Sequence, residues 1–273
     1  MIVVQVSDTH IKSKGKLAYN KVDIHKALYN CVIHINNLNP KPDLVIFTGD
    51  ITDNGTNEEY KLFKEIVKLL DVPFYAIPGN HDNAENLKRE FEEYNWFEEN
   101  NHLSLVIENF PIRIIGLDSS IKGESYGGLN EERLLWLEKQ LNKFPDKKVL
   151  LFIHHPPIKI GIEHMDVQNL QIGKECLANL LGKYEQVLAL ACGHVHRVST
   201  TLWNKIIVLT AASPSHQVAL DLRKDAKAEF IMEPPSIQVH YWTEEQGLTT
   251  HTSYIGKFEG PYPFYDEKGE IID

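Results

Sequence analysis

Pro73-Phe74-Tyr75-Ala76-Ile77-Pro78-Gly79-Asn80-His81-Asp82 reads as a short apolar strand, near 73–77, running into a turn that carries an amide oxygen, an imidazole and a carboxylate. These are donor types that a divalent metal ion accepts. Four other strand ends have the same character: Asp8-Thr9-His10, Gly49-Asp50, His154-His155-Pro156 and Gly193-His194-Val195-His196 each follow a short run rich in Val, Ile, Leu or Phe. Five strand ends bearing metal-type ligands describe an α/β chain with one polar centre.

The rest of the chain fits that frame. Strands are expected near 2–7, 43–48, 73–77, 112–117, 148–153, 187–192 and 205–210, and helices near 20–37, 57–70, 84–94, 130–143 and 169–183. Alternation of this kind gives a layered α/β core. In such sheets ligands gather beyond the carboxyl ends of the strands, where all five motifs fall. The first helix shows its period in Ile24, Leu28, Cys31, Ile35 and Leu38, and Pro40 and Pro42 stop it. Patterning weakens after Thr210, so residues 1–211 are expected to form the catalytic core. Residues 212–255 are expected to form a small β cap or oligomerisation excursion, with a hairpin from Val239–Trp242 and Thr249–Tyr254, and 256–273 a tail returning to the core.

Composition narrows the function. The 273 residues, 42% hydrophobic, can fill a substantial core. A formal net charge of −10 argues against a nucleic-acid polymer, and no Lys/Arg run suggests an anionic membrane surface. A phosphate substrate would therefore take its positive charge from bound metal. The start, Met1-Ile2-Val3-Val4-Gln5-Val6-Ser7, has no basic leader and too little apolar length to span a membrane, which points to the cytoplasm. Cys31, Cys176 and Cys192 have no C-x-x-C spacing and read as core residues, not as a disulfide framework or a thiolate zinc site.

Spacing assigns the donors. Asp8 and His10, and likewise His194 and His196, stand at i and i+2 and point to one side of an extended segment. Gly49 and Gly79 relieve the turns that project Asp50 and Asn80, and Asp82 is placed to accept from the His81 ring. Of His154 and His155 only one should face the metals, and His154 is taken as the ligand. Asp8, His10, Asp50 and His196 thus make one site, and Asp50, Asn80, His154 and His194 a second that shares Asp50. Oxygen and nitrogen donors without thiolate suit Fe, Mn, Zn or Co better than Ca or Mg. His102, His164, His240 and His251 are read as structural or solvent-exposed.

The ordered set D-x-H, G-D, G-N-H-D, H-H-P and G-H-x-H resembles the calcineurin-like metallophosphoesterase superfamily over residues 1 to about 200. Val6-Ser7-Asp8-Thr9-His10, Leu117-Asp118-Ser119-Ser120 and His154-His155-Pro156-Pro157 resemble its branch of class III cyclic nucleotide phosphodiesterases and bacterial glycerophosphodiesterases. The resemblance implies a four-layered αββα sandwich with two metals and a bridging hydroxide that attacks phosphorus in line with the leaving alkoxide. His81 then either protonates the leaving oxygen or clamps the phosphate, with Asp82 orienting it. His216 resembles a substrate-pocket histidine, and His155 and Arg197 are further substrate-binding candidates.

The expected activity is hydrolysis of small phosphodiesters, either 3′,5′-cyclic nucleotides such as cAMP or glycerophosphodiesters. A phosphomonoesterase or protein phosphatase on the same centre is the alternative, and a non-catalytic scaffold of the same fold is a third reading. The ligand motifs are all present, which favours an enzyme. The resemblance also implies a homo-oligomer.

Overall fold

The computed structural model describes residues 1–97 and 101–272. Its first half contains β1 (Ile2–Val6), α1 (Ile24–Asn36), β2 (Leu44–Thr48), α2 (Asn57–Val67), β3 (Phe74–Ile77), α3 (Ala84–Glu90), β4 (Leu105–Ile107), β5 (Arg113–Leu117), β6 (Gly127–Gly128) and α4 (Glu131–Lys143). There follow β7 (Val149–Ile153), α5 (Glu163–Asp166), β8 (Leu170–Ile172), α6 (Lys174–Leu181), β9 (Val187–Cys192), β10 (Ser199–Trp203) and β11 (Ile206–Thr210). The last strands are β12 (Gln217–Val218), β13 (Phe230–Ile231), β14 (Ser236–Thr243) and β15 (Gly247–Tyr254).

Two sheets form the centre, one of five strands in the order β15-β14-β1-β2-β3 and one of six in the order β10-β11-β9-β7-β5-β4. Strand parity explains the layers. In β7, Leu150 and Phe152 share a core cluster with both sheets, whereas Val149, Leu151 and Ile153 share another with Trp136, Leu137 and Leu141 of α4 and Leu177 and Leu181 of α6. A strand buried on both faces reads as a continuous apolar run, which is why Val149–Ile153 shows no polar alternation. Leu28 and Ile35 of α1 and Phe63 of α2 join the first cluster, so helices pack against each sheet and the layers run α-β-β-α.

Several boundaries moved for local reasons. The first helix begins at Ile24, where the Asp23 side chain accepts from Lys26 N, because a tight turn occupies 18–22 and puts Tyr19 and Asn20 at positive φ. The helix expected over 169–183 spans only Lys174–Leu181. Gly173, at φ 77°, breaks the chain between it and β8.

The hairpin expected in 212–255 does form, but β14 pairs antiparallel with β1 (Val4 opposite Val239) and β15 pairs with β14, so both strands extend the five-stranded sheet and form no cap. The parallel strands leave the other side of β1 open, and β14, with Ile237, Gln238 and His240 buried, closes it. Residues 212–235 lie outside the two central sheets, with β12 and β13 paired to each other, and their first part is buried against the β1 loop, where Ser213 Oγ donates to Asp8 O at 2.9 Å. The tail does not return to the core: 256–272 is exposed throughout.

Candidate metal centre

β1, β2 and β3 of one sheet and β7 and β9 of the other end together, and the loop after each delivers one motif. Asp8, His10, Asp50, His154, His194 and His196 are buried, and Asn80 is half-buried. The backbone turns sharply to present them. Asp8 (φ 59°), His10 (45°), Asp50 (47°), His194 (72°) and His196 (46°) all lie in the left-handed region. Each such residue carries about 1–2 kcal/mol of strain, which persists only where the surroundings impose it.

Backbone bonds supply that constraint. Asp8 N donates to Gly49 O at 3.1 Å, His10 N to Asp50 O at 2.9 Å, and Gly193 N to His154 O at 3.0 Å. His194 N donates to both Asp8 carboxylate oxygens at 3.1 Å and so joins the sheets. Gly79 is needed for close approach: a Cβ there would lie 2.3 Å from Asp50 Oδ1 and 2.8 Å from His154 Nε2.

The donors converge in two groups. His10 Nε2 lies 3.1 Å from His196 Nε2 and 3.7 Å from Asp50 Oδ2, with His196 Nε2 3.5 Å from Asp8 Oδ1. His154 Nε2 lies 3.3 Å from Asp50 Oδ2 and 3.3 Å from Asn80 Oδ1. Main-chain carbonyls fix the tautomers, as His154 Nδ1 donates to Thr48 O at 2.7 Å and His196 Nδ1 to His216 O at 3.2 Å. In each ring this leaves Nε2 turned toward its neighbours.

Burial pushes the His194 imidazole down to about 3 and that of His196 to about 4, so both are neutral near pH 7. For Asp50, burial opposes ionisation, but His154 and His81 outweigh it and hold the carboxyl well below the usual range. Both ring nitrogens of His194 are buried with no hydrogen-bond partner. Leaving such atoms unpaired is costly, and a cation on the His194 ring would supply the missing partner. The residues therefore fit two metal ions, one toward Asp8, His10 and His196 and one toward Asn80, His154 and His194, with Asp50 between.

A cavity of about 300 Å³ opens onto this centre, lined by His10, Asp50, Asn80, His81, His194 and His196 and, farther out, by Tyr19, His164, Met165, His216, Glu229 and Phe230. No Lys or Arg is among its lining residues. His81 donates from Nδ1 to Asp53 O at 2.9 Å and from its main-chain N to Asp50 Oδ1 at 2.8 Å, leaving Nε2 as its free nitrogen. His216 lines the cavity, its ring centroid 4.9 Å from that of His196.

Three expected roles are corrected. Asp82 does not orient the His81 ring, whose partner is the Asp53 carbonyl. Its carboxylate accepts instead from Gly79 N (2.9 Å), Tyr60 OH (2.9 Å), Ile51 N (3.1 Å), Thr52 N (3.2 Å) and Thr52 Oγ1 (3.2 Å), tying the β2 and β3 loops together. His155 is fully buried and outside the cavity, with Nε2 3.2 Å from Asn80 Oδ1. Arg197 is engaged by Val218 O at 2.6 Å and Glu233 Oε2 at 2.9 Å and does not line the cavity.

Sequence reasoning also missed Asp53, Tyr19, Phe230 and His164. Asp53, three residues after Asp50, had a sequence signal. The other three reach the cavity only through tertiary folding.

The chain matches the family model described as calcineurin-like phosphoesterase over residues 1–198. It is 93% identical over 273 residues, covering 100% of both chains, to a protein of Arcobacter nitrofigilis named probable glycerophosphodiester phosphodiesterase GpdQ. It is 31% identical over 273 residues, 98% of this chain and 95% of the other, to glycerophosphodiester phosphodiesterase GpdQ of Enterobacter lignolyticus. In fold it is similar to a dimetal phosphatase from Danio rerio, with a TM-score of 0.61 at 13% identity over 94% of this chain and 99% of that one.

Proposed function

The chain belongs to the calcineurin-like phosphoesterase family, and from that premise we propose that it hydrolyses small phosphodiesters, glycerophosphodiesters first among them, at a centre of two metal ions. The observation that carries the reading is the convergent set Asp8, His10, Asp50, Asn80, His154, His194 and His196, in which both buried nitrogens of the His194 ring lack a hydrogen-bond partner. Two ions held there would acidify water and neutralise phosphoryl oxygens. The donor chemistry favours Fe, Mn, Zn or Co.

The chain's own groups complete the site. His81 offers Nε2 to the leaving alkoxide while the Asp53 carbonyl holds its other nitrogen. Burial opposes a charge on this imidazole, yet Asp50, Asp53 and Asp82 outweigh burial and hold it above the ordinary histidine range, as suits a proton donor. Absence of Lys and Arg from the cavity lining favours a singly charged diester over a doubly charged monoester. His216 contributes to the pocket wall.

The proposal includes a cytoplasmic site of action and a homo-oligomeric state. Cys31, Cys176 and Cys192 are free, and no helix among the described residues is long and apolar enough to cross a membrane. Large apolar residues exposed at Leu220, Leu222 and Met232 and along the tail support self-association.

The test is to reconstitute the protein with Mn, Fe, Zn or Co and compare kcat/KM for glycerophosphoethanolamine, cyclic AMP, bis-p-nitrophenyl phosphate and p-nitrophenyl phosphate. Diesters should exceed the monoester by at least tenfold, with glycerophosphoethanolamine ahead of cyclic AMP. A monoester preference would overturn the reading.

A further inference from the structure

His155 and Ser119 are both fully buried, lie outside the cavity and have no place in the chemistry above. Their positions follow from sheet register. β5 and β7 run parallel with Leu117 opposite Ile153, so two residues on, where both strands have ended, Ser119 meets His155. Ser119 Oγ lies 2.8 Å from His155 Nδ1 and accepts from His155 N at 3.3 Å. The hydroxyl accepts from the main-chain N–H and has its own proton free for Nδ1. With Nδ1 accepting from Ser119, the imidazole proton sits on Nε2, 3.2 Å from Asn80 Oδ1.

The other ring beside that oxygen cannot take this role. His154 donates from Nδ1 to Thr48 O and turns Nε2 toward Asp50 Oδ2 and Asn80 Oδ1, 3.3 Å from each, so with a cation bound there that nitrogen carries no proton. A carbonyl oxygen has two lone pairs, so Asn80 Oδ1 can take the His155 proton on one and a cation on the other. The support is rigid. Asp118, next to Ser119, accepts from Leu103 N at 2.9 Å and from Ser120 N at 2.8 Å, and a Cβ on Gly127 would fall 2.5 Å from the His155 ring.

We infer that Ser119 and His155 are positioning residues, a hydroxyl–imidazole relay that holds the Asn80 amide oxygen in place for the second metal ion. The inference rests on the two-ion reading above and assigns His155 to no metal, although its ring lies close enough to His154 and His194 to be counted with them as a ligand cluster. Supporting groups of this kind typically change metal affinity by about 10–100-fold.

Titration of metal-free protein with Mn²⁺, followed by calorimetry and electron paramagnetic resonance, tests it. Wild type should bind two ions. Ser119→Ala should weaken one of them at least tenfold and leave the other unchanged, and Ser119→Thr should restore it. Asn80→Ala should weaken the same ion, and Ser119→Ala added to Asn80→Ala should cost nothing more, because the hydroxyl acts only through Asn80. Equal weakening of both ions, wild-type affinity in Ser119→Ala, or losses that multiply in the double variant would each overturn the relay. Wild-type protein that binds fewer than two ions would instead overturn the two-ion reading, and the relay with it.

Discussion

His81 and Asp82 are neighbours in the chain with opposite duties. His81 faces the cavity, so His81→Ala should lower kcat by roughly 10²–10⁴-fold while metal content and the unfolding midpoint stay at wild-type values. Asp82 receives five hydrogen bonds, four from the loops after β2 and β3 and one from Tyr60 of α2. Asp82→Ala strands those donors and should cost about 3 kcal/mol in urea unfolding. An Asp82→Ala protein of wild-type stability that had lost only its rate would return Asp82 to the role of orienting His81. Asp50 stands within 3.7 Å of His10 and 3.3 Å of His154, so Asp50→Ala should deplete both ions in metal analysis, and loss of one alone would contradict its central place. The role of these donor residues as metal ligands is the proposal that the metal analysis tests; their convergence was legible because strand ends recur with D-x-H and H-x-H spacing. The partner of Asp82 was not, since Tyr60 and the Ile51–Thr52 amides meet it only after β2 and β3 pair.

Elements explain why so polar a centre sits on a stable base. Directly beneath it, Gln5 of β1 donates to Cys192 O of β9 at 3.1 Å, and its Oε1 accepts from His240 Nε2 of β14 at 3.2 Å. His240 Nδ1 then accepts from Thr250 Oγ1 of β15 at 2.8 Å, so one relay ties four strands across both sheets. A neutral imidazole satisfies both bonds, and burial pushes His240 down to about 3 from an ordinary 6.5. The unfolded chain takes up this proton below pH 6.5 and the folded protein refuses it until about pH 3, so stability falls as pH drops through that window. At pH 5 the loss is about 2 kcal/mol. His240→Gln should remove about that much from the fall in unfolding free energy between pH 7 and pH 5, and an unaltered fall would show that the acid sensitivity lies elsewhere. Periodicity placed nearly every strand and helix of the core, because apolar runs bounded by Gly and Pro have one reading. It placed β14 and β15 as a hairpin but not in their sheet, since the pairing of β14 with β1 spans more than 230 residues and leaves no local sign.

At the scale of the molecule, the acidic surface and the exposed apolar tail make different statements. A net charge of −10 repels a polyanion and disfavours association of like molecules, so contact between copies needs an apolar patch to overcome it. The tail supplies one. Phe258, Tyr262, Phe264, Tyr265, Ile271 and Ile272 are each at least 52% exposed, and Ile272 N donates to Phe264 O at 3.1 Å, which folds the segment on itself, away from the core. A strap that leaves this many aromatic and aliphatic side chains in water offers a contact surface for a second copy, and assembly through it is a prediction. Sedimentation equilibrium should therefore find an oligomer whose dissociation weakens with added salt, as screening relieves the repulsion. Deletion of 256–273 should shift the population to a smaller species while the isolated sandwich keeps its metal content, because none of the seven proposed ligands lies beyond residue 196. A wild-type protein that sediments as a monomer at micromolar concentration, or a truncated one with unchanged mass distribution, would remove the tail from any role in assembly.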